Sequence, residues 1–251
     1  MLPEKKPLII LFKIMVPKLS IVIPTYNEEG NIKILLETAS RILKQIPISF
    51  ELIVVDDNSK DKTRPIIREL QKNNPQIVLI ERDNERGLAT ALIRGYNASQ
   101  GQYLGAMDAD LAHNPEYLPE MIKLLDSNKA DFIIGSRYVK GASFTGKPFL
   151  NKMASLCGQW LIKIILGLNV KDTSNNYRVF KKEIWGKIKS RLHPDGNIML
   201  TEIVYRASKN NFRITEIPIS YIERRVGKSK LSVFKETIRF FKNIRKIKSH
   251  T

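Results

Sequence analysis

The chain has 251 residues with a hydrophobic content of 43% and 12 prolines, which suits one large domain with a sizeable core and excludes a disordered chain. Its charge is lopsided: residues 1–135 carry 17 basic and 18 acidic residues, net −1, whereas residues 136–251 carry 25 and 7, net +18. So basic a half points to a polyanionic partner, nucleic acid or an anionic surface bearing phosphates, against the plainer reading of a solvated basic face.

In chain order, residues 1–18 form a lead-in whose apolar run PLIILFKIMVP is interrupted by Lys13 and Pro17 and lacks a small-residue cleavage site. No apolar run of about 18 residues, the minimum for a spanning helix, occurs anywhere, so the expected chain has no transmembrane segment. Leu19–Pro24 is a β-branched run closed by proline and predicts a buried strand. Ile32, Leu35, Leu36, Ala39, Ile42, Leu43 and Ile46 then recur at spacings of three and four, as on one face of a helix. Strands are expected at Glu51–Val55, Ile77–Glu81, Tyr103–Met107 and Asp131–Gly135, with helices at Thr63–Lys72, Leu88–Ser99 and Pro115–Leu125 between them. Continuous apolar strands alternating with helices predict an α/β fold with a mainly parallel sheet covered on both faces.

The second half is less regular. Met153, Cys157, Trp160, Leu161, Ile164, Ile165 and Leu168 form an apolar helical stripe, and Cys157, the only cysteine, is expected there as a buried structural thiol in a reducing compartment. Ile214–Ile222 predicts a strand. Residues 231–251 place Leu231, Phe234, Ile238, Phe241 and Ile244 on one face among Lys235, Arg239, Lys242, Arg245, Lys246 and Lys248, a basic amphipathic helix able to lie on anionic lipid or to pack on the core.

Three polar clusters fall just past strand ends, where open α/β sheets bind ligands. Asp108-Ala109-Asp110 offers two carboxylates at spacing two, hard oxygen ligands suited to Mg2+ or Mn2+. Asp56-Asp57-Asn58-Ser59 is either a turn former or an acceptor for a base or ribose. Pro24-Thr25-Tyr26-Asn27-Glu28 supplies a flat ring and an acceptor, or merely starts a helix.

Together, IPTYNE, VVDDNSKDKT and MDADLAHNPE resemble the family-2 glycosyltransferases, which have a GT-A, Rossmann-like fold, in order and rough spacing. IIGSRYVKG, DTSNNYRVF and EIPISYIERRVGKSKL resemble the dolichyl-phosphate mannosyltransferase branch, and the resemblance spans about residues 19–232. It implies a catalytic domain over 19–230 and an inverting transfer of sugar from a nucleotide-sugar, GDP-mannose, to dolichyl or polyprenyl phosphate. It places the protein peripherally at the cytoplasmic face of a membrane, with an anionic lipid surface and small membrane-anchoring subunits as partners. Pro24, Tyr26, Glu28, Asp56 and Asp57 would hold the nucleotide, and Asp108 and Asp110 the metal and through it the diphosphate. Arg137, Arg224 and Lys230 would meet donor and acceptor phosphates, and Glu202 would face the donor.

Two features of the resemblance favour a phosphate acceptor over a hydroxyl: Thr201-Glu202-Ile203 lacks the Glu-Asp base pattern, and no Q-x-x-R-W follows. The chain also departs from its relatives. Ala112 stands where a Gln or Ser ligand is usual, with His113 beside it; Asn151-Lys152 replaces an Arg; Asn175-Asn176 replaces a Gly-containing turn. The runner-up readings are a UDP-glucose-dependent polyprenyl-phosphate glucosyltransferase and a non-enzymatic basic RNA-binding protein. The latter leaves the Asp clusters unexplained and lacks an aromatic platform, so no nucleic-acid partner is expected.

Overall fold

The computed structural model describes residues 16–146 and 149–222, together with Ile244 and Ile247. Its elements run β1 Leu19–Thr25, α1 Ile32–Leu43, β2 Phe50–Asp56, α2 Thr63–Asn73, β3 Ile77–Glu81, α3 Leu88–Ala98, β4 Tyr103–Ala106, α4 Leu118–Asp126 and β5 Phe132–Ser136. Then come β6 Ser143–Thr145, α5 Phe149–Leu166, β7 Arg178–Lys181, α6 Lys182–Ile188, α7 Ile198–Lys209, β8 Ile214–Pro218 and β9 Ser220–Ile222.

Seven strands form one sheet in the order β3-β2-β1-β4-β7-β5-β8, and β6 pairs with β9 in a small parallel sheet. Every pairing in the large sheet is parallel except those of β7, which runs antiparallel between β4 and β5. The expected α/β sheet is therefore present and mainly parallel. Side chains alternate between its faces: Ile21, Ile23, Leu52 and Val54 join α1 and α4 in one core, whereas Val22, Ile53 and Val55 join α3, α6 and α7 in the other. That two-sided burial is why the central strands read as continuous apolar runs. Gly105 in β4 fits where an added Cβ would come within 2.8 Å of the Arg178 carbonyl oxygen, so the antiparallel neighbour approaches closely because that residue has no side chain.

The second half departs from the sequence-based expectations. β7 has only four residues, too few for a period to register, and α6 follows it at once at Lys182. The expected strand Ile214–Ile222 is two strands in different sheets, divided at Ile219 just after Pro218, which has no N–H to continue a ladder. Pro115 opens a short 3-10 turn, Pro115–Tyr117, before α4 begins.

Cys157 is exposed, which corrects the expected buried thiol. α5 turns Ile162 and Leu166 into the core but leaves Met153, Trp160, Leu161 and Ile164 exposed, with Trp160 at 62% and Ile164 at 57%. No helix among the described residues is long and apolar enough to cross a membrane. The expected amphipathic helix over 231–251 lies outside the described residues, apart from Ile244 and Ile247, which are helical and buried in the same core as α3, α5, α6 and α7.

Candidate active site

Because β1, β2 and β4 are parallel neighbours, with Thr25 opposite Asp56 and Val22 opposite Ala106, their carboxyl ends open on one edge of the sheet. Chain order reverses direction between β1 and β4, which is where sheets of this kind bind ligands. The first cluster follows β1 directly. Pro24 is a strand residue, and Asn27 takes a left-handed φ of 55°, which turns the chain toward α1. The Asn27 N–H donates to Ser59 Oγ at 2.9 Å and the Glu28 N–H to Thr63 Oγ1 at 2.8 Å, tying this turn to the one after β2. Glu28 is buried and accepts from Asn31 Nδ2 at 2.8 Å. Tyr26 is 36% exposed, with the Arg86 guanidinium 4.8 Å from its ring centroid.

Asp56 and Asp57 are both buried, and basic residues hold both. Asp56 accepts from the Ser59 N–H at 3.0 Å and from Arg64 Nε at 2.5 Å. Asp57 accepts from Arg82 Nε at 2.7 Å and from the Gly87 N–H at 2.8 Å. Gly87 has φ 125°, a conformation that glycine adopts without the strain a side chain brings. The pair thus anchors the loop after β3 and presents Arg86 to Tyr26. Arg64, Arg82 and Arg86 carried no signal in the sequence because they lie in loops and helix ends remote from the acidic pair.

The Asp108–Asp110 turn rests on a buried frame. His113 Nδ1 accepts from the Asp108 N–H at 3.0 Å, and Nε2 lies 2.9 Å from Asn175 Oδ1. The first contact requires Nδ1 to be unprotonated, so Nε2 carries the hydrogen and donates to Asn175. With both nitrogens engaged and its ring stacked on Tyr177 at 5.0 Å, His113 supports the turn, and it does not stand in for the ligand missing at Ala112. Asn175 Nδ2 donates to the Gly135 carbonyl, and Asn176 Nδ2 donates to Asp108 Oδ1 at 2.9 Å. Leu111 takes φ 63°, and the Ala112 N–H donates to Asp110 Oδ1 at 3.1 Å. Burial, and then the charge of Asp108, raises the Asp110 carboxyl above its ordinary range. Two carboxylates in a partly buried turn, with the charge of Asp108 bearing on Asp110, fit a divalent cation, which would remove the repulsion.

Arg137, just past β5, is gripped by Asp172: Nε donates to Oδ2 and Nη2 to Oδ1, both at 2.8 Å, and the Arg137 N–H adds a third bond at 3.1 Å. Burial is the strongest single influence and would lower this guanidinium, but the Asp172 charge and hydrogen bonds, with the neighbouring tyrosines, together outweigh it and the net shift is upward. The rings of Tyr138, Phe144 and Tyr221 stand 5.3–5.7 Å from the Arg137 guanidinium carbon. Asp172, Thr173, Asn175 and Asn176 are all buried, so the segment before β7 links Arg137 to the Asp108 turn. Sequence reasoning noticed that segment only as a motif. Arg178 is wholly buried beneath it, donates to the carbonyls of Asn175 and Leu200, and is pulled down to about 10 by burial.

Glu202 lies in α7 and is wholly buried. It accepts from the His193 N–H at 2.8 Å and from Arg206 Nε at 2.8 Å, while its neighbour Thr201 touches Thr173 at 3.1 Å. Glu202 is thus held within an ion pair with Arg206, and it is Thr201 that meets the Asp172–Asn176 segment. Arg224 and Lys230 lie outside the described residues.

Residues 20–189 match the family described as Glycosyl transferase family 2. The chain belongs to this family. A dolichol-phosphate mannosyltransferase of Pyrococcus furiosus is 35% identical over 216 residues, covering 85% of this chain and 59% of that protein, so this chain spans under two thirds of that relative's length. A polyprenol monophosphomannose synthase of Mycolicibacterium smegmatis is 32% identical, covering 84% of this chain and 80% of that one. An undecaprenyl-phosphate mannosyltransferase of Micrococcus luteus is 34% identical, covering 84% and 86%. Among solved structures, glucosyl-3-phosphoglycerate synthase of Mycobacterium tuberculosis, crystallised with Mn2+ and uridine diphosphate, superposes with a TM-score of 0.63 at 16% identity over 93% of this chain and 80% of that one. At that identity the likeness speaks to fold, and it agrees with the GT-A sheet expected of a family 2 glycosyltransferase.

Proposed function

We propose that this family 2 glycosyltransferase moves a mannosyl group from GDP-mannose to a polyprenyl phosphate of dolichyl type at the cytoplasmic face of a membrane. One observation carries the reading: the Tyr26–Glu28, Asp56-Asp57 and Asp108–Asp110 clusters share one sheet edge with Arg137 beside them. The mannosyltransferase relatives support the sugar and the acceptor class. Tyr26, with Arg86 behind it, offers a stacking face for the base, and Glu28 an acceptor carboxylate. Asp108 and Asp110 would hold Mg2+ or Mn2+, which when bound supplies positive charge to the departing diphosphate.

A lipid phosphate is ionised near neutral pH and acts as the nucleophile without a strong general base. Its oxygen forms the new bond to the anomeric carbon as the bond to the nucleoside diphosphate breaks, with inversion. Arg137, held rigid by Asp172 and ringed by aromatics, supplies preorganised positive charge for phosphate where water is scarce. The exposed apolar face of α5 and the basic second half together suit attachment to anionic lipid.

A donor panel tests the sugar. With polyprenyl phosphate and Mn2+ present, nucleotide release from GDP-mannose should exceed that from UDP-glucose by about tenfold or more, a discrimination expected of polar contacts to base and sugar. Preference for UDP-glucose would keep the chemistry and overturn the donor.

A further inference from the structure

Asn175 and Asn176 are adjacent, both 3% exposed, and used differently. Asn175 engages both ends of its amide, accepting from His113 Nε2 and the Tyr177 N–H and donating to the Gly135 carbonyl. Asn176 engages only one: Nδ2 donates to Asp108 Oδ1, while Oδ1 is buried without a hydrogen-bond partner. A buried amide oxygen left without a donor is unfavourable, so its retention beside the acidic turn calls for a reason.

We propose that Asn176 is a third oxygen ligand of the divalent cation held by Asp108 and Asp110. The inference rests on the metal-dependent reading above. Rotation of the amide about its last side-chain torsion carries Oδ1 to the position of Nδ2, next to Asp108. At the enclosed end no hydrogen bond is broken, because Oδ1 has none there, and Nδ2 takes its place. Only the Asn176–Asp108 hydrogen bond is broken, and a cation shared by Asp108 and Oδ1 replaces it. The backbone need not move, since Asn175 pins it on one side and the Tyr177 ring, whose hydroxyl donates to the Asn114 carbonyl at 2.8 Å, on the other.

The ligand chemistry suits Mg2+ and Mn2+, which take hard oxygens and accept an amide carbonyl. Within the turn itself Ala112 has no ligand atom, and His113 has both nitrogens engaged. Asn176 adds an oxygen without a third negative charge, so the site neutralises the cation and no more.

The test is Mn2+ binding to the full chain with GDP present, read by loss of the free-ion electron paramagnetic resonance signal, with thermal melts confirming that each variant is folded. Wild type should bind, Asp110→Asn should not, and Asn176→Leu, close in volume, should weaken binding by about tenfold or more. Asn176→Asp separates a ligand from a clamp that merely positions Asp108. As a ligand it keeps a cation-facing oxygen and should hold Mn2+ at least as tightly as wild type. As a clamp it loses the donor and repels Asp108, so weaker binding by Asn176→Asp would overturn the proposal, as would unchanged binding by Asn176→Leu. If wild type fails to bind Mn2+, the metal-dependent reading itself is overturned.

Discussion

Asp110 shares its turn with Asp108, and its carboxylate accepts from the Ala112 N–H at 3.1 Å. Asp110→Asn keeps that acceptor and the shape while removing the charge, so sugar transfer should fall about a hundredfold or more with the melt nearly unchanged. An active Asp110→Asn enzyme would remove Asp110 from the site. Asp57 differs, because Arg82 holds it. Asp57→Asn leaves a buried guanidinium short of its charged acceptor and should lower unfolding stability by about 2 kcal/mol, measured in urea. The acidic residues were legible in the sequence because they cluster at strand ends. Their basic partners Arg64 and Arg82 were not, since they lie 8 and 25 residues away and meet the pair only once the sheet forms. Glu202 was legible as an acidic position, but its pairing with Arg206 and His193 was not.

At the scale of elements, the first five strands were readable because each is an apolar run, buried on both faces in the inner strands and partly buried in the edge strand β3. β7 was not: four residues inserted antiparallel between β4 and β5 leave no periodic trace, yet they carry the Asp172–Asn176 segment into the site. The edge between β5 and β8 is stapled by Asp131, which accepts from Arg213 Nε at 2.9 Å and Lys181 Nζ at 2.7 Å. The Arg213 hydrogen bonds, followed by those of Lys181, hold the Asp131 carboxyl well below its ordinary value. A carboxyl depressed on folding contributes stability above its unfolded value, near pH 4, and loses it as pH falls further. Wild type should therefore be more stable than Asp131→Asn at pH 6, and the gap should close below about pH 4; a gap constant with pH would contradict this. In α5, Trp160→Ser with Ile164→Ser should leave the melt unchanged, because both side chains already face solvent, and should reduce sedimentation with anionic vesicles at low salt. Unchanged sedimentation would mean that α5 is not the lipid-facing element.

Over the whole molecule, the charge asymmetry and the sheet divide the labour. The nearly neutral first half builds the parallel sheet and its acidic edge; the basic second half supplies Arg137 and the surface that suits lipid phosphate. This division was readable from composition, and the family from three motifs in order. What composition could not reveal is that the second half threads back through the sheet, with β7 beside β4 and β8 at the far edge, so that the Asp172–Asn176 segment touches both the Asp108 turn and Arg137.

The central claim is that the acceptor is a lipid phosphate. The most direct measurement is transfer of radiolabelled mannose from GDP-mannose into organic-extractable lipid, with Mn2+ and either polyprenyl phosphate or the matching unphosphorylated polyprenol. The account predicts labelled lipid with the phosphate alone, abolished by chelator. Equal labelling of the free alcohol, or transfer that chelator leaves untouched, would contradict it.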